Sequence, residues 1–119
     1  MNYQGVIIEE SLGNKDILKE LKIVDTKIEQ VAERHQTPRL KQWTLHTVEI
    51  TENQAKEIAE KLAKVILDLW YADYKNESAH YIIFKNKIFC IDREDREQYK
   101  KAKFYGMAQG IPEYQVDFK

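Results

Sequence analysis

Apolar and polar positions alternate along Tyr3–Glu9, with Val6 and Ile8 on one side and Tyr3 and Ile7 on the other, which predicts a first strand. Gly13-Asn14 interrupts the pattern. Asn14 can cap a short helix to about Leu21, whose Ile17, Leu18 and Leu21 make one stripe. Val24–Gln30 reads as a second strand with Val24, Thr26 and Ile28 on one side. Ala32–Leu40 contains Thr37-Pro38, has no clear period and reads as a loop. Trp43–Ile50 is a third strand, expected antiparallel to the second. Thr51 and Gln54 then form a capping box, and Ala55, Ile58, Ala59, Leu62, Ile66 and Leu69 fall on one helical stripe. A helix over Glu52–Leu69 follows. Three short apolar runs, Trp70–Tyr74, Ala79–Phe84 and Lys87–Asp92, are split by Lys75-Asn76-Glu77-Ser78 and Lys85-Asn86 and predict a meander. A last helix is expected over Glu94–Ala108, stopped by Gly110 and Pro112. Gly106 inside it points to close packing. Tyr114, Val116 and Phe118 alternate, as an extended tail would.

The order strand, helix, strand, strand, helix, strands, helix predicts an α+β fold. The expectation is a ferredoxin-like (split βαβ) open sheet, extended by a C-terminal meander, plus a C-terminal helix. The alternative is another open α+β sheet with a different strand order. Both faces of such a sheet are apolar. Val6, Ile8, Ile82, Phe84, Phe89 and Ile91 are expected beneath the first two helices. Tyr3, Ile7, Trp43, Leu45, Tyr81, Ile83, Ile88 and Cys90 are expected on the other face. An apolar patch of that size needs cover. If the last helix stays at the sheet edge, the cover is a second copy, and a homodimer through Trp43, Leu45, Tyr81 and Ile83 is the favoured expectation. If the helix lies across that face instead, Tyr99, Ala102, Tyr105 and Gly106 should touch it.

A chain of 119 residues suits one domain, residues 1–119. The net charge of −1 gives no strong field toward nucleic acid, membrane or polyanions. The single cysteine, Cys90, rules out an internal disulfide framework and fits a reducing cytosol. No apolar stretch approaches the roughly 18 residues of a membrane span. Met1–Glu10 lacks the basic-then-apolar order of a signal peptide, so the expected location is the cytoplasm.

The runs Trp43–Glu49 (WTLHTVE), Trp70–Tyr74 (WYADY), Tyr81–Phe84 (YIIF) and Gly110–Phe118 (GIPEYQVDF) resemble those of small stand-alone prokaryotic proteins of uncharacterised function. The resemblance covers nearly the whole chain. It implies a free-standing domain, and no activity, cofactor or catalytic residue.

Candidate chemistry is sparse. His35, His46 and His80 show no metal-ligand spacing with one another or with Cys90, so no metal is expected. No phosphate loop, nucleophile elbow or paired-carboxylate motif occurs, and no cofactor is expected. A hairpin turning at Asn86-Lys87 would put His80 and Cys90 on opposite faces, which argues against a Cys–His dyad. Cys90 reads as a small buried hydrophobe. The ordinary reading of His46 is a hydrogen-bonded imidazole at the edge of the core. Its functional reading is a general base near Tyr71 or Asp73. Arg34, His35, Arg39 and Lys41 beside Trp43 form the one local basic cluster, which could hold a phosphate or stack a base. A solvated loop is the preferred reading, and nucleic acid is not the expected partner. Trp70, Tyr71 and Tyr74 serve packing in the ordinary reading and line a pocket in the functional one. The favoured expectation is a non-enzymatic module that binds a small ligand or a protein through the second apolar face of its sheet. The alternative is a small enzyme with His46 as base beside Tyr71 and Asp73. The third reading is a weak nucleic-acid or phosphate binder using the Arg34–Trp43 loop.

Overall fold

The computed structural model describes residues 1–30, 42–116 and 118. The protein is α+β. Among the described residues, β1 (Tyr3–Ile8), β2 (Lys22–Gln30), β3 (Gln42–Ile50), β4 (Ala72–Lys75), β5 (Ala79–Phe84) and β6 (Lys87–Asp92) form one open sheet in the order β2-β3-β1-β4-β5-β6. Every neighbouring pair is antiparallel. Two helices, α1 (Glu52–Val65) and α2 (Arg96–Ala108), pack on opposite faces. No helix among the described residues is long and apolar enough to cross a membrane.

Register decides which residues share a face. Tyr3 lies opposite Ile50, Gly5 opposite Val48 and Ile7 opposite His46. Of these, Tyr3, Ile7, Val48 and Ile50, with Ala72, Tyr74 and Ile83, meet α1. Val6 and Ile8 point the other way, and Ile8 lies opposite Leu45. The expected grouping of Trp43 and Leu45 with Tyr3 and Ile7 is therefore corrected: β3 sits one residue out of step with it, and one residue exchanges the faces. The first face is also covered by a different helix from the one expected, since α1 lies over Tyr3 and Ile83 rather than over Val6 and Ile82. Trp43 and Leu45 thus occupy one face and Tyr81 and Ile83 the other, with Ile83 fully buried. No single surface contains the four residues expected to form a dimer contact.

The predicted stripe of α1 holds through Ala55, Ile58, Ala59, Leu62 and Ile66, all buried. The helix ends at Val65, before Leu69, because the segment after β1 takes over its hydrogen bonds. Gly13 N–H donates to Val65 O at 2.7 Å, and Leu67 N–H donates to Ser11 O at 2.8 Å. Ile66 then bridges to Leu12 in extended conformation. The expected capping box is altered, since Thr51 Oγ1 donates to Gln54 Oε1 at 3.1 Å instead of capping backbone. Between β1 and β2 the predicted helix is replaced by short 3₁₀ turns at Glu9–Ser11 and Asp16–Glu20. Asn14 Oδ1 accepts from Asp16 N–H at 2.9 Å, a local turn that satisfies the amide a longer helix would have used.

The β5–β6 turn falls at Lys85-Asn86, with Asn86 at φ 60°, and pairs Phe84 with Lys87. The expected register differed by two residues, and such a shift preserves the faces. His80 and Cys90 accordingly face opposite sides, but Cys90 is exposed rather than buried. Beside Cys90, the Tyr81 hydroxyl is pushed up to about 12 by burial, reinforced by the cysteine sulfur. Tyr3, Tyr74 and Tyr81 pack ring to ring at 5.3–5.7 Å under α1. The buried Tyr74 hydroxyl donates to Ala55 O at 2.5 Å, tying the sheet centre to the start of α1.

Asp95 caps α2, accepting from the Glu97 and Gln98 amides at 3.0 and 3.2 Å. Gly110, at φ 99°, closes the helix as predicted: Gly110 N–H donates to Met107 O and Ile111 N–H to Gly106 O. Ala102, Tyr99, Tyr105 and Gly106 face the sheet as expected of a covering helix, but over Ile82, Phe84, Phe89 and Ile91. The tail is not extended throughout. Glu113–Gln115 is a 3₁₀ turn, Val116 is buried, and the Phe118 ring meets Tyr71 at 5.1 Å.

Leu62 is fully buried, so Leu62→Ala should cost about 2–5 kcal/mol of stability. A Cβ on Gly106 would stand 2.7 Å from Val116 Cγ1 and 3.2 Å from Phe84 Cε1, so Gly106→Ala should cost about 1–3 kcal/mol through overpacking. Denaturant midpoints check both, and an unchanged midpoint in either variant contradicts the packing of that helix.

Candidate functional site

Helix α2 and the tail cover the second face over β5 and β6. Over β1 and β3 that face stays partly open, and Val6 is 38% exposed. The opening is a cleft of about 350 Å³ lined by Val6, Ile8, Trp43, Leu69, Trp70, Tyr71, Asp73, Tyr114 and Gln115. Strand alternation aims Val6, Ile8 and Asp73 into it, since Val6 lies opposite Asp73 across the β1–β4 pair. The loop after α1 supplies Leu69, Trp70 and Tyr71, and the 3₁₀ turn after α2 supplies Tyr114 and Gln115. Trp43 and Trp70 meet edge to face at 5.5 Å. Leu69 holds a left-handed φ of 70° and is 56% exposed. That conformation costs a leucine about 1–2 kcal/mol, and it sets the side chain between this cleft and a second hollow.

The second hollow, about 600 Å³, lies at the end of the sheet between Asp68, Leu69, Trp70, Phe84, Lys85, Asn86, Tyr105, Gln109 and Ile111. It is larger but carries an ion pair of its own, Lys85 to Asp68 at 3.7 Å. The first cleft combines largely apolar walls with one charged polar group, the usual composition of a small-molecule site.

That polar group is Asp73. Its Oδ2 lies 2.7 Å from His80 Nε2, and His80 Nδ1 lies 3.0 Å from the Tyr99 hydroxyl. His80 is 1% exposed, whereas the Asp73 side chain remains 33% exposed toward the cleft. An ionised carboxylate only accepts, so Nε2 carries the proton, and in the neutral ring Nδ1 accepts from Tyr99. The chain Tyr99–His80–Asp73 fixes the orientation of the carboxylate.

On the opposite face, the same arrangement surrounds His46. Its Nε2 lies 3.0 Å from Glu9 Oε1, and its Nδ1 lies 2.9 Å from Thr26 Oγ1. Lys15 Nζ stands 3.5 Å from the other Glu9 oxygen. The His46 hydrogen bond holds the Glu9 carboxyl below the ordinary glutamate value. Glu10 accepts from both the amide and the hydroxyl of Thr44, at 2.6 and 2.8 Å. These contacts fasten the segment after β1 to β3.

The structure brings Tyr71, Asp73 and Trp43 together at one cleft. It does not bring His46 to them, because Ile7 lies opposite His46 while Val6 lies opposite Asp73, one step along β1 and therefore on the other face. The ring of His46 is buried with both nitrogens engaged, which matches its ordinary reading. Arg34, His35, Arg39 and Lys41 lie outside the described residues. Sequence reasoning missed the roles of His80 and Tyr99. The signal was a register: Lys75 pairs with His80 and Asp73 with Ile82, so Asp73 and His80 are diagonal neighbours on one face. Among the described residues, no three His, Cys, Asp or Glu side chains gather as a metal-binding group. No protein-family model, curated protein or solved structure matches the chain.

The lowered Glu9 pKa gives a pH dependence with a definite sign. The carboxylate adds stability above the ordinary glutamate value of about 4.3, and the contribution is lost as pH falls through the lower folded value. Glu9→Gln should therefore be less stable than the parent near neutrality and approach it in acid. Stability against pH measures this, and two curves that stay parallel into acid would contradict the Glu9–His46 bond.

Proposed function

We propose that the protein is a small-molecule-binding module, and that its ligand is an organic cation held in the cleft between Trp43, Trp70, Tyr71, Tyr114 and Asp73. The observation that carries this reading is a lone carboxylate among aromatic rings. Asp73 is the one charged side chain lining the cleft among the described residues. Aromatic faces attract an ammonium or guanidinium group by about 0.5–2 kcal/mol, more where water is excluded. A carboxylate that is already oriented adds a charge-assisted hydrogen bond or a direct ion pair. His80 serves as a positioning residue, because it touches Asp73 and is itself closed off from the cleft by burial. The chemistry needs no nucleophile, and binding without turnover fits the apolar walls.

The order β2-β3-β1-β4 supports a ferredoxin-like reading of the first four strands. β1 and β2 are each antiparallel to β3, hence parallel to each other, and β3 fills the slot between them. In this reading the 3₁₀ turns at Glu9–Glu20 stand for the first crossover helix, and α1 is the second crossover.

Both tryptophans of the chain line the cleft, Trp70 also bordering the second hollow, so tryptophan fluorescence reports on this region. Titration with benzyltrimethylammonium should give a saturable change. An uncharged analogue of the same shape should bind about tenfold or more weakly, since it loses chiefly the ion pair with Asp73 and secondarily the cation–aromatic contacts. Asp73→Asn should remove most of that preference. Equal binding of the charged and neutral probes, or no saturable change with either, overturns the reading.

A further inference from the structure

Leu69 occupies a backbone position made for glycine. Trp70 N–H donates to Leu67 O at 3.3 Å and closes a β-turn in which Leu69 is third, at φ 70°. Asp68, the second residue, has no positive φ, so the turn is of type II, whose third position calls for glycine or asparagine. Asn86, the other non-glycine residue with positive φ among the described residues, is of the tolerated kind. Leucine is not, and at 56% exposure it does not bury itself in return. A residue that breaks the local rule of its turn marks a side chain used for something other than local stability.

The side chain separates two cavities. Leu69 and Trp70 are the residues common to the walls of the aromatic cleft and of the second hollow. The Trp70 ring is held edge to face against Trp43 at 5.5 Å. Leu69 meets bare backbone instead: a Cβ on Gly110 would stand 3.2 Å from Leu69 Cδ2. Gly110 holds φ 99°, where a side chain is strained, so the gap between the two loops is filled from the leucine side. The cleft so closed measures about 350 Å³, near the small end of the roughly 300–1,000 Å³ of ligand pockets. The hollow beyond it has aromatic and aliphatic walls at Phe84, Tyr105 and Ile111. We propose that Leu69 is the specificity residue of the cleft, a partition that limits the bound cation to a compact one, about one aromatic ring with its charged group. This deepens the cation reading and rests on it for the ligand's charge, not for its length.

Tryptophan fluorescence tests this with two cations, benzyltrimethylammonium and (4-phenylbenzyl)trimethylammonium, and two neutral probes of matching length, benzyl alcohol and 4-phenylbenzyl alcohol. The parent should bind the short member of each pair about tenfold or more tightly, although the long member is the more apolar. Leu69→Gly opens the partition and should reduce that preference about tenfold or more. Leu69→Asn keeps the forked shape of leucine and suits a left-handed φ, so it should keep the parent's preference. Circular dichroism confirms the fold of all three proteins. Leu69→Gly should also unfold at a denaturant midpoint no lower than the parent's, because glycine adopts this φ freely and the leucine is more than half exposed. Equal binding of short and long probes by the parent overturns the proposal, as does a preference that survives Leu69→Gly or is lost in Leu69→Asn. A lowered midpoint in Leu69→Gly assigns the leucine to packing and overturns it too, and so does a failure of every probe to bind. Cations and alcohols bound alike, with length still selected through Leu69, would support the partition while overturning the cation reading.

Discussion

Gly5 leaves no room for a side chain. A Cβ there would stand 2.0 Å from Asp73 O and 2.6 Å from Tyr74 Cα, so the backbone of β4 occupies the space any other residue would fill. The consequences run through the whole molecule. β1 is the strand between β3 and β4, and Gly5 is paired with both, opposite Val48 on one side and Tyr74 on the other. The close approach puts Tyr74 under α1, where its hydroxyl reaches Ala55. It also puts Asp73 on the far face beside Val6, in line with His80. One missing side chain thus sets the depth at which the core tyrosine and the cleft carboxylate lie, on opposite sides of the same strand.

The second constraint is one of coverage. An apolar sheet with two faces must hide both. The first face is hidden by α1, whose buried positions are mostly small: Ala55, Ala59 and Ala63 let the helix settle onto the large residues Tyr74, Ile7 and Ile83. The second face receives α2 at close range, because Gly106 admits Val116 and Phe84 to the helix surface. That intimacy limits α2 to the β5–β6 side. What remains over β1 and β3 is walled by the two loops that leave the helices, and Leu69 against Gly110 is where those loops meet. The cleft is the part of the second face that the helix does not reach.

Periodicity made the elements legible and left their relations hidden. The α1 stripe, the Gly110 stop and the close packing of Gly106 could be read because each depends on local spacing. The strands could be read for the same reason. The short turns at Glu9–Glu20 could not, because the apolar residues Ile17, Leu18 and Leu21 suit either a helical stripe or the 3₁₀ turn that Asn14 favours. Faces were harder still. Whether Trp43 joins Ile7 or Ile8 depends on a one-residue choice of register between strands about forty residues apart, and alternation within a strand is silent on it. The site suffered most from this. Tyr71, Asp73 and Trp43 were visible as candidate residues, but the expected companion, His46, belongs to the other face, and the actual one, His80, is joined to Asp73 only through the β4–β5 register.

The two histidines show what the sheet does with a buried imidazole. Each sits between a carboxylate and a hydroxyl, and each satisfies both ring nitrogens within the chain. Their settings then separate them. Glu9 turns its carboxylate toward His46 and Lys15 and so fastens a loop to the sheet. Asp73 keeps a third of its side chain exposed at an aromatic cleft, so the same clamp there leaves a carboxylate at an open surface instead of closing a joint.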